Sequence, residues 1–214
     1  MQTISVEQLA AMIPDGASLM IGGFMGVGTP ERLIDEILRQ KTHDLIVIAN
    51  DTAVPGRGIG KLVEAKRLRK AIVSHIGLNP ETQRQMMAGE LEVELIPQGT
   101  LIERIRAGGH GLGGILTQTG IGTPVETGKQ RIEVNGKSYL LETALRADFA
   151  LVQAFLADYL GNLSYALTAR NFNPVIAMAA DTVIVSADNI VPVGVLSPDH
   201  VVTPAPLVDY LIAN

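Results

Sequence analysis

What most constrains this chain is an alternation. Short apolar runs, each the length of one strand, are separated by segments with helical periodicity. The runs are "ASLMIGG" from Ala17, "DLIVIAN" from Asp44, "KAIVSHI" from Lys70, "VELIP" from Val93, "DFALVQAF" from Asp148 and "DTVIVSA" from Asp181. A run that stays apolar at successive positions suits a strand covered on both faces, as strands of a parallel sheet are. Between the runs stand helix signals. Ser5 and Gln8 form a capping-box pair before "LAAMI". Thr29 is placed as an N-cap, with Pro30 at the first helical position and Glu31 near the positive helix end. Leu33, Ile34, Ile37 and Leu38 make one apolar stripe beyond it. "KLVEAKRL" has helical character, and Asn79-Pro80 opens a helix through "ETQRQMMAG". Thr100 with Glu103 caps "LIERIRA", which stops at Gly108-Gly109, and Asn173-Pro174 starts another helix.

These signals predict an α/β fold: an open, mainly parallel sheet with helices on both faces. Asn135-Gly136 inside "RIEVNGKSYLLE" predicts a two-residue turn, so a β-hairpin is inserted. With no internal repeat and no long linker, residues 1–214 read as a single domain. The stretch "AGGHGLGGILTQTGIGTP", residues 107–124, is too long to be only a turn. It is either a mobile loop or a segment ordered by a ligand or partner.

Composition then excludes function classes. A net charge of −5 argues against nucleic acid, which demands a basic face, but leaves room for a small basic pocket. The chain has no cysteine, which removes disulfides, thiolate metal sites and a thiol nucleophile together. His43, His75, His110 and His200 show no paired metal spacing, so no metal is expected. His75 ends an apolar run and reads as a core or edge histidine. No apolar run reaches the roughly 20 residues of a membrane span, and the start lacks a signal-peptide pattern. A soluble, cytoplasmic protein with no permanently bound cofactor is the expectation.

"IGGFMGVGTP", residues 21–30, places Gly22, Gly23, Gly26 and Gly28 between a strand and a helix. A dinucleotide-binding turn fails, because Gly26 and Gly28 lack the third glycine, and Glu31 carries the wrong charge. A P-loop fails too, since no lysine lies between Met1 and Gln40. Two readings remain: a crossover turn that needs positive φ, or a bare backbone surface that a ligand approaches closely. In open α/β sheets ligands gather where strands run into loops. There the sequence offers Asn50-Asp51-Thr52 and Pro97-Gln98-Gly99-Thr100. Asn50 and Gln98 are neutral amides able to donate to a developing oxyanion. Equally, Asn50 fits a turn residue bonding its own backbone, and Gln98 a linker before a capped helix. "EAKRLRK" reads most simply as a solvated helix face, with contact to a ligand phosphate as the alternative. No Ser/His/Asp set or nucleophile elbow is present.

"GGFMGVGTP" resembles the glycine signature of the α subunit of family I coenzyme A transferases. "IANDTA", "GIGKLV", "NPETQRQMMAGELEVELIPQGTLIERIRAGG", "GLGGILTQTGIGT" and "ARNFNPVIAMAAD" are similar to that subunit as well, in order, from about Gly16 to Pro204. The resemblance implies covalent ping-pong catalysis on acyl-CoA and a short-chain carboxylate such as acetate, acetoacetate or butyrate. A glutamate attacks the thioester, an acyl-glutamyl anhydride forms, and CoA thiolate converts it to a glutamyl-CoA thioester. That glutamate lies in a Ser-Glu-Asn-Gly motif on the family's β subunit, and no such tetrapeptide occurs here. The implied assembly is therefore αβ or α2β2. By the same resemblance Gln98 supports the oxyanion, with Asn50 as a second donor. Gly22, Gly23, Phe24, Gly26 and Gly28 line the cleft for CoA and its acyl end, and Gly109 and Gly111 lie beside it. His110 stands where the family has a small residue, which would narrow the acyl pocket or add a polar contact. Two further readings are a non-catalytic α/β ligand-binding module and a sugar-phosphate isomerase-like protein.

Overall fold

The structure, a computed structural model, describes residues 1–212. Positions 213 and 214, the end of the span read as one domain, lie outside the described residues. In chain order the elements are β1 (Gln2–Ile4), α1 (Val6–Ala11), β2 (Ser18–Ile21), α2 (Glu31–Gln40), β3 (Leu45–Asp51), α3 (Ile59–Glu64), β4 (Leu68–His75), α4 (Pro80–Met87) and β5 (Glu92–Leu95). Then come α5 (Gln98–Gly109), β6 (Gly114–Thr117), β7 (Arg131–Val134), β8 (Lys137–Thr143), β9 (Ala147–Asp158), β10 (Leu163–Ser164), α6 (Asn173–Ile176), β11 (Ala180–Val191) and β12 (Tyr210–Ile212).

The main sheet has the order β1-β12-β11-β9-β2-β3-β4-β5. Its neighbours along that path are all parallel, and only the short β10 pairs antiparallel, with β9. From β2 the chain steps outward through β3, β4 and β5, whereas from β9 it steps the other way through β11 and β12. The reversal lies between β2 and β9, where Leu19 faces Phe149 and Ile21 faces Leu151. A crevice opens at the carboxyl ends of strands at such a switch point.

Alternate residues along each strand feed two cores. Leu19, Ile21, Val47, Ala49, Ala71 and Val73 pack under α1, α2 and α3, joined by Leu33, Ile34, Ile37 and Leu62. Met20, Ile48 and Ile72 point the other way, into Leu101 and Ile105 of α5 and Ile176 of α6. This is the period of two expected of a pleated strand. It explains why the runs stay apolar at successive positions and why helices cover both faces. Each fully buried Leu or Ile adds about 1.5–3 kcal/mol.

Several local signals hold. Ser5 and Gln8 form both bonds of the capping box, and Asn79 caps α4 by accepting from the Thr82 N–H at 3.2 Å. Asn135 and Gly136 take φ of 52° and 72°, as a type I′ hairpin turn requires. Two expected caps are corrected. Pro30, not Thr29, precedes α2, and the Thr29 hydroxyl instead donates to the Gly22 carbonyl at 3.0 Å. Likewise α5 begins at Gln98, after Pro97, which leaves Thr100 inside the helix rather than at its cap. The long glycine-rich stretch is not one loop. Its Gly114–Thr117 part forms β6, which pairs antiparallel with β8 and completes a three-stranded sheet in the order β6-β8-β7.

Candidate active site

The segment after β2 folds into a tight hairpin. Phe24 and Val27 exchange backbone hydrogen bonds of 3.0 and 2.9 Å. Between them Met25 and Gly26 take φ of 52° and 81°, the pattern of a two-residue type I′ turn. A non-glycine residue in this region is strained. The strain at Met25 is met by Asp51, whose carboxylate oxygens accept the Met25 N–H at 3.2 and 3.1 Å.

Two asparagines brace the hairpin from the far side. Asn171 Oδ1 accepts the Gly23 N–H at 3.0 Å, and its Nδ2 donates to the Val27 carbonyl at 2.9 Å. Asn173, fully buried, donates to the carbonyls of Gly28 and Ala169 at 2.9 Å each and accepts the Gln153 N–H at 3.0 Å. These contacts explain two of the glycines. A Cβ at Gly22 would overlap Asn173 Oδ1, and one at Gly28 would sit 2.5 Å from the Ala169 carbonyl oxygen. The sequence assigns Asn173 only the start of a helix and Asn171 nothing, although both stand in the "ARNFNP" stretch that carries part of the resemblance.

Asn50 and Gln98 do come together. Asn50, the penultimate residue of β3, is 1% exposed and accepts at Oδ1 from Gln98 Nε2 at 2.6 Å. Its own Nδ2 donates to Asp51 Oδ2 at 2.7 Å, while Ser74 Oγ donates to its backbone carbonyl at 2.7 Å. Gln98 opens α5, so it is a helix N-terminal residue rather than a linker. Both amides line a cleft of about 410 Å³ whose apolar walls are Phe24, Ile102, Phe172 and Val175. Arg106, Thr168 and Asn171 supply the remaining polar groups, and among the described residues no carboxylate lines the cleft.

Other candidates lie elsewhere. Gly26 and Gly28 border a separate depression of about 470 Å³ on the other flank of the hairpin, with Arg32, Arg57, Glu31 and Asp188. Glu31 is engaged in structure there: it accepts the Gly58 N–H at 2.9 Å and pairs with Lys61 Nζ at 2.7 Å. Burial works against the Lys61 charge, but Asp35 and Glu31 outweigh it, and the Lys61 pKa is raised. Gly109 and Gly111 sit at the far end of α5, about 17 Å from Gln98 at 1.5 Å per residue. His110 caps that end, its Nδ1 2.8 Å from the Arg106 carbonyl oxygen. It therefore does not narrow the cleft around Gln98, and the two glycines do not line it. His75 is exposed at the end of β4. Among the described residues no cluster of three or more His, Asp or Glu side chains is placed to hold a metal, and no helix is long and apolar enough to cross a membrane.

Residues 3–214 match the family described as Coenzyme A transferase. The chain is 54% identical over 211 residues to the acetate CoA-transferase subunit alpha of Escherichia coli K12, covering 99% of this chain and 96% of that one. It is 49% identical over 209 residues to the acetoacetyl-CoA:acetate/butyrate CoA transferase alpha subunit of Clostridium acetobutylicum, covering 98% and 96%. Among solved structures, the acyl-CoA transferase of Escherichia coli O157:H7 in a thioester complex with CoA superposes with a TM-score of 0.88 at 24% identity. That match covers 100% of this chain but 47% of the other, and it is a likeness of fold.

Proposed function

The chain belongs to the coenzyme A transferase family, and from that premise we propose that it is the α subunit of a short-chain acyl-CoA:carboxylate CoA-transferase. Acetate, acetoacetate and butyrate are the acids of the relatives' names. The observation that carries the reading is the composition of the cleft. It presents two amides that can donate to an oxyanion beside an apolar wall, yet among the described residues no carboxylate to act as nucleophile. The missing group then comes from a β chain, in an αβ or α2β2 assembly. Such an enzyme works in the cytoplasm, with acyl-CoA as a substrate and no resident cofactor, and residues 1–214 form its one α domain.

In the proposed reaction a β-chain glutamate attacks the thioester carbonyl. The C=O electron pair moves onto oxygen, and the Gln98 and Asn50 N–H groups stabilise that charge. Collapse expels CoA thiolate and leaves the anhydride. The thiolate then attacks the glutamyl carbonyl and releases the carboxylate, which gives the glutamyl-CoA thioester. The incoming acid runs these steps backwards. Gly22, Gly23 and Phe24, with Gly26 and Gly28 behind them, shape the wall along which the acyl end lies. Gly109 and Gly111 fall outside this cleft.

Gln98→Ala in the αβ complex tests the assignment. Loss of one oxyanion donor lowers turnover by about 10²-fold or more. Unchanged turnover removes Gln98 from the mechanism. Transfer by the α chain without any β chain overturns the shared site itself.

A further inference from the structure

Asp51 belongs to none of the groups considered so far as donors or walls. It is 5% exposed and receives hydrogen bonds from three directions: the Asn50 side chain, the Met25 N–H and the Ala53 N–H, the last at 2.7 Å. A carboxylate offers only acceptors. The end of the Asn50 amide that faces it must therefore be the NH2. That turns Asn50 Oδ1 toward Gln98, and the end of the Gln98 amide that meets it must in turn be its NH2. One carboxylate thus sets the sense of the whole relay. Each amide keeps a second N–H that no described residue accepts.

We propose that Asp51 is a positioning residue that orients the Asn50 and Gln98 amides, so that each holds one uncommitted N–H toward the cleft, while it also fixes the hairpin that carries Phe24. This rests on the reading of Gln98 as an oxyanion donor. An asparagine at position 51 keeps the shape but presents a donor as readily as an acceptor, so both amides are released to turn over.

The experiment is a double-mutant cycle on the α chain assembled with its β chain, with Asp51→Asn, Gln98→Ala and the pair. Donors that act on the oxyanion stabilise the transition state rather than bound substrate, so the loss falls on kcat. Asp51→Asn is expected to lower kcat by about 10- to 100-fold, with KM for acyl-CoA changed less than about threefold. In the Gln98→Ala background the same substitution is expected to lower kcat by less than about threefold, because residues in one network do not add. Full additivity, a loss confined to KM, or wild-type kcat in Asp51→Asn overturns the proposal. If Gln98→Ala itself leaves kcat unchanged, the oxyanion reading fails instead, and the two failures are distinct. Should Asp51→Asn not assemble, the cycle is repeated with Asp51→Ser and judged by the same comparison. Failure of both to fold makes Asp51 a requirement of the fold alone, which also overturns the proposal.

Discussion

Residues 22–28 and residues 107–122 are both rich in glycine; the family resemblance makes the first the wall of the cleft and sets Gly109 and Gly111 of the second beside it. In the first segment the glycines are squeezed. Gly22 lies against Asn173, Gly28 against the backbone of Ala169, and the hairpin between them is tied by Asp51 to β3 and by Asn171 to the segment before α6. In the second segment Gly111, Gly113 and Gly122 meet nothing within 4 Å of where a Cβ would stand, while Gly108, Gly109, Gly114 and Gly120 press on Leu145, Met178, Glu142 and Val125, away from the amide cleft. That region is held by the pairing of β6 with β8, and β8 in turn carries a buried ion cluster. Glu142 on β8, 2% exposed, pairs with Lys129 Nζ at 2.5 Å and lies 3.8 Å from Arg104 Nη1 of α5. Close packing of glycine is common to both segments; what sets the first apart is that polar side chains, Asp51, Asn171 and Asn173, converge on its backbone.

The largest effect is expected where that convergence is tightest. In Gly22→Ala the new methyl group displaces the Asn173 amide, which leaves the Gln153 N–H without its acceptor and frees the hairpin. Overpacking and an unpaired buried group together cost about 3 kcal/mol. At about 2–4 °C per kcal/mol for a chain of this length, the melting temperature falls by about 6–12 °C. Turnover of the αβ complex falls by about 100-fold, as when the oxyanion donors are misplaced. Wild-type turnover in this variant would erase the distinction between the two segments. Glu142→Ala comes next and strikes the second segment. It strands two cations, one of them mostly buried, at a similar cost of about 3 kcal/mol. Here stability and catalysis separate: thermal melting records the loss, while turnover of the assembled enzyme falls less than about tenfold. A loss as deep as that of Gly22→Ala would place the small sheet in the site after all.

How much of this was legible in the sequence depends on the range of the interaction. The strands were readable because burial on both faces writes a continuous apolar run, as in Leu45–Asp51. The capping box of Ser5 and Gln8 and the Asn135-Gly136 turn were readable because all their partners lie within four residues. Thr29 and Thr100 misled for the opposite reason. A threonine before a helix has the right chemistry for a cap, which accepts from helix N–H groups, but the Thr29 hydroxyl is turned to the Gly22 carbonyl, to which it donates. β6 was hidden because its four residues pair with Leu140–Thr143, well beyond any local pattern. In the site, the strand-end rule picked out Asn50 and Gln98, and the family resemblance singled them out as donors. Their meeting joins residues 48 positions apart. The asparagine brace spans 148 positions between Asn171 and Gly23, and no periodicity records that.

Smaller effects calibrate the comparison away from both segments. Arg84 on α4 clamps Glu81 and Glu90, and holds each carboxyl down at about 2, aided by Gln85 and Lys66 respectively. A folded-state pKa below the unfolded value contributes stability at pH above the unfolded value, and that contribution fades as pH falls through about 2. Arg84→Ala should therefore melt slightly below wild type at pH 7, with the gap closing below about pH 4.5, and its turnover unchanged. A gap independent of pH would assign the loss to packing of the arginine stem instead.

The smallest effect is expected at Gly113. It is exposed, has no positive φ, and a Cβ there meets open space. Its carbonyl accepts the Ala144 N–H at 3.1 Å, a bond that does not involve the side chain. Gly113→Ala also removes backbone freedom from the unfolded chain, which offsets any small local strain. Stability should stay within about 0.5 kcal/mol of wild type and turnover within about twofold. A loss of turnover near that of Gly22→Ala, with melting unchanged, would mean that something approaches Gly113 only in the assembled enzyme. The second segment would then be a contact surface of the working complex, with a partner covering the glycines that stand open there, Gly111, Gly113 and Gly122.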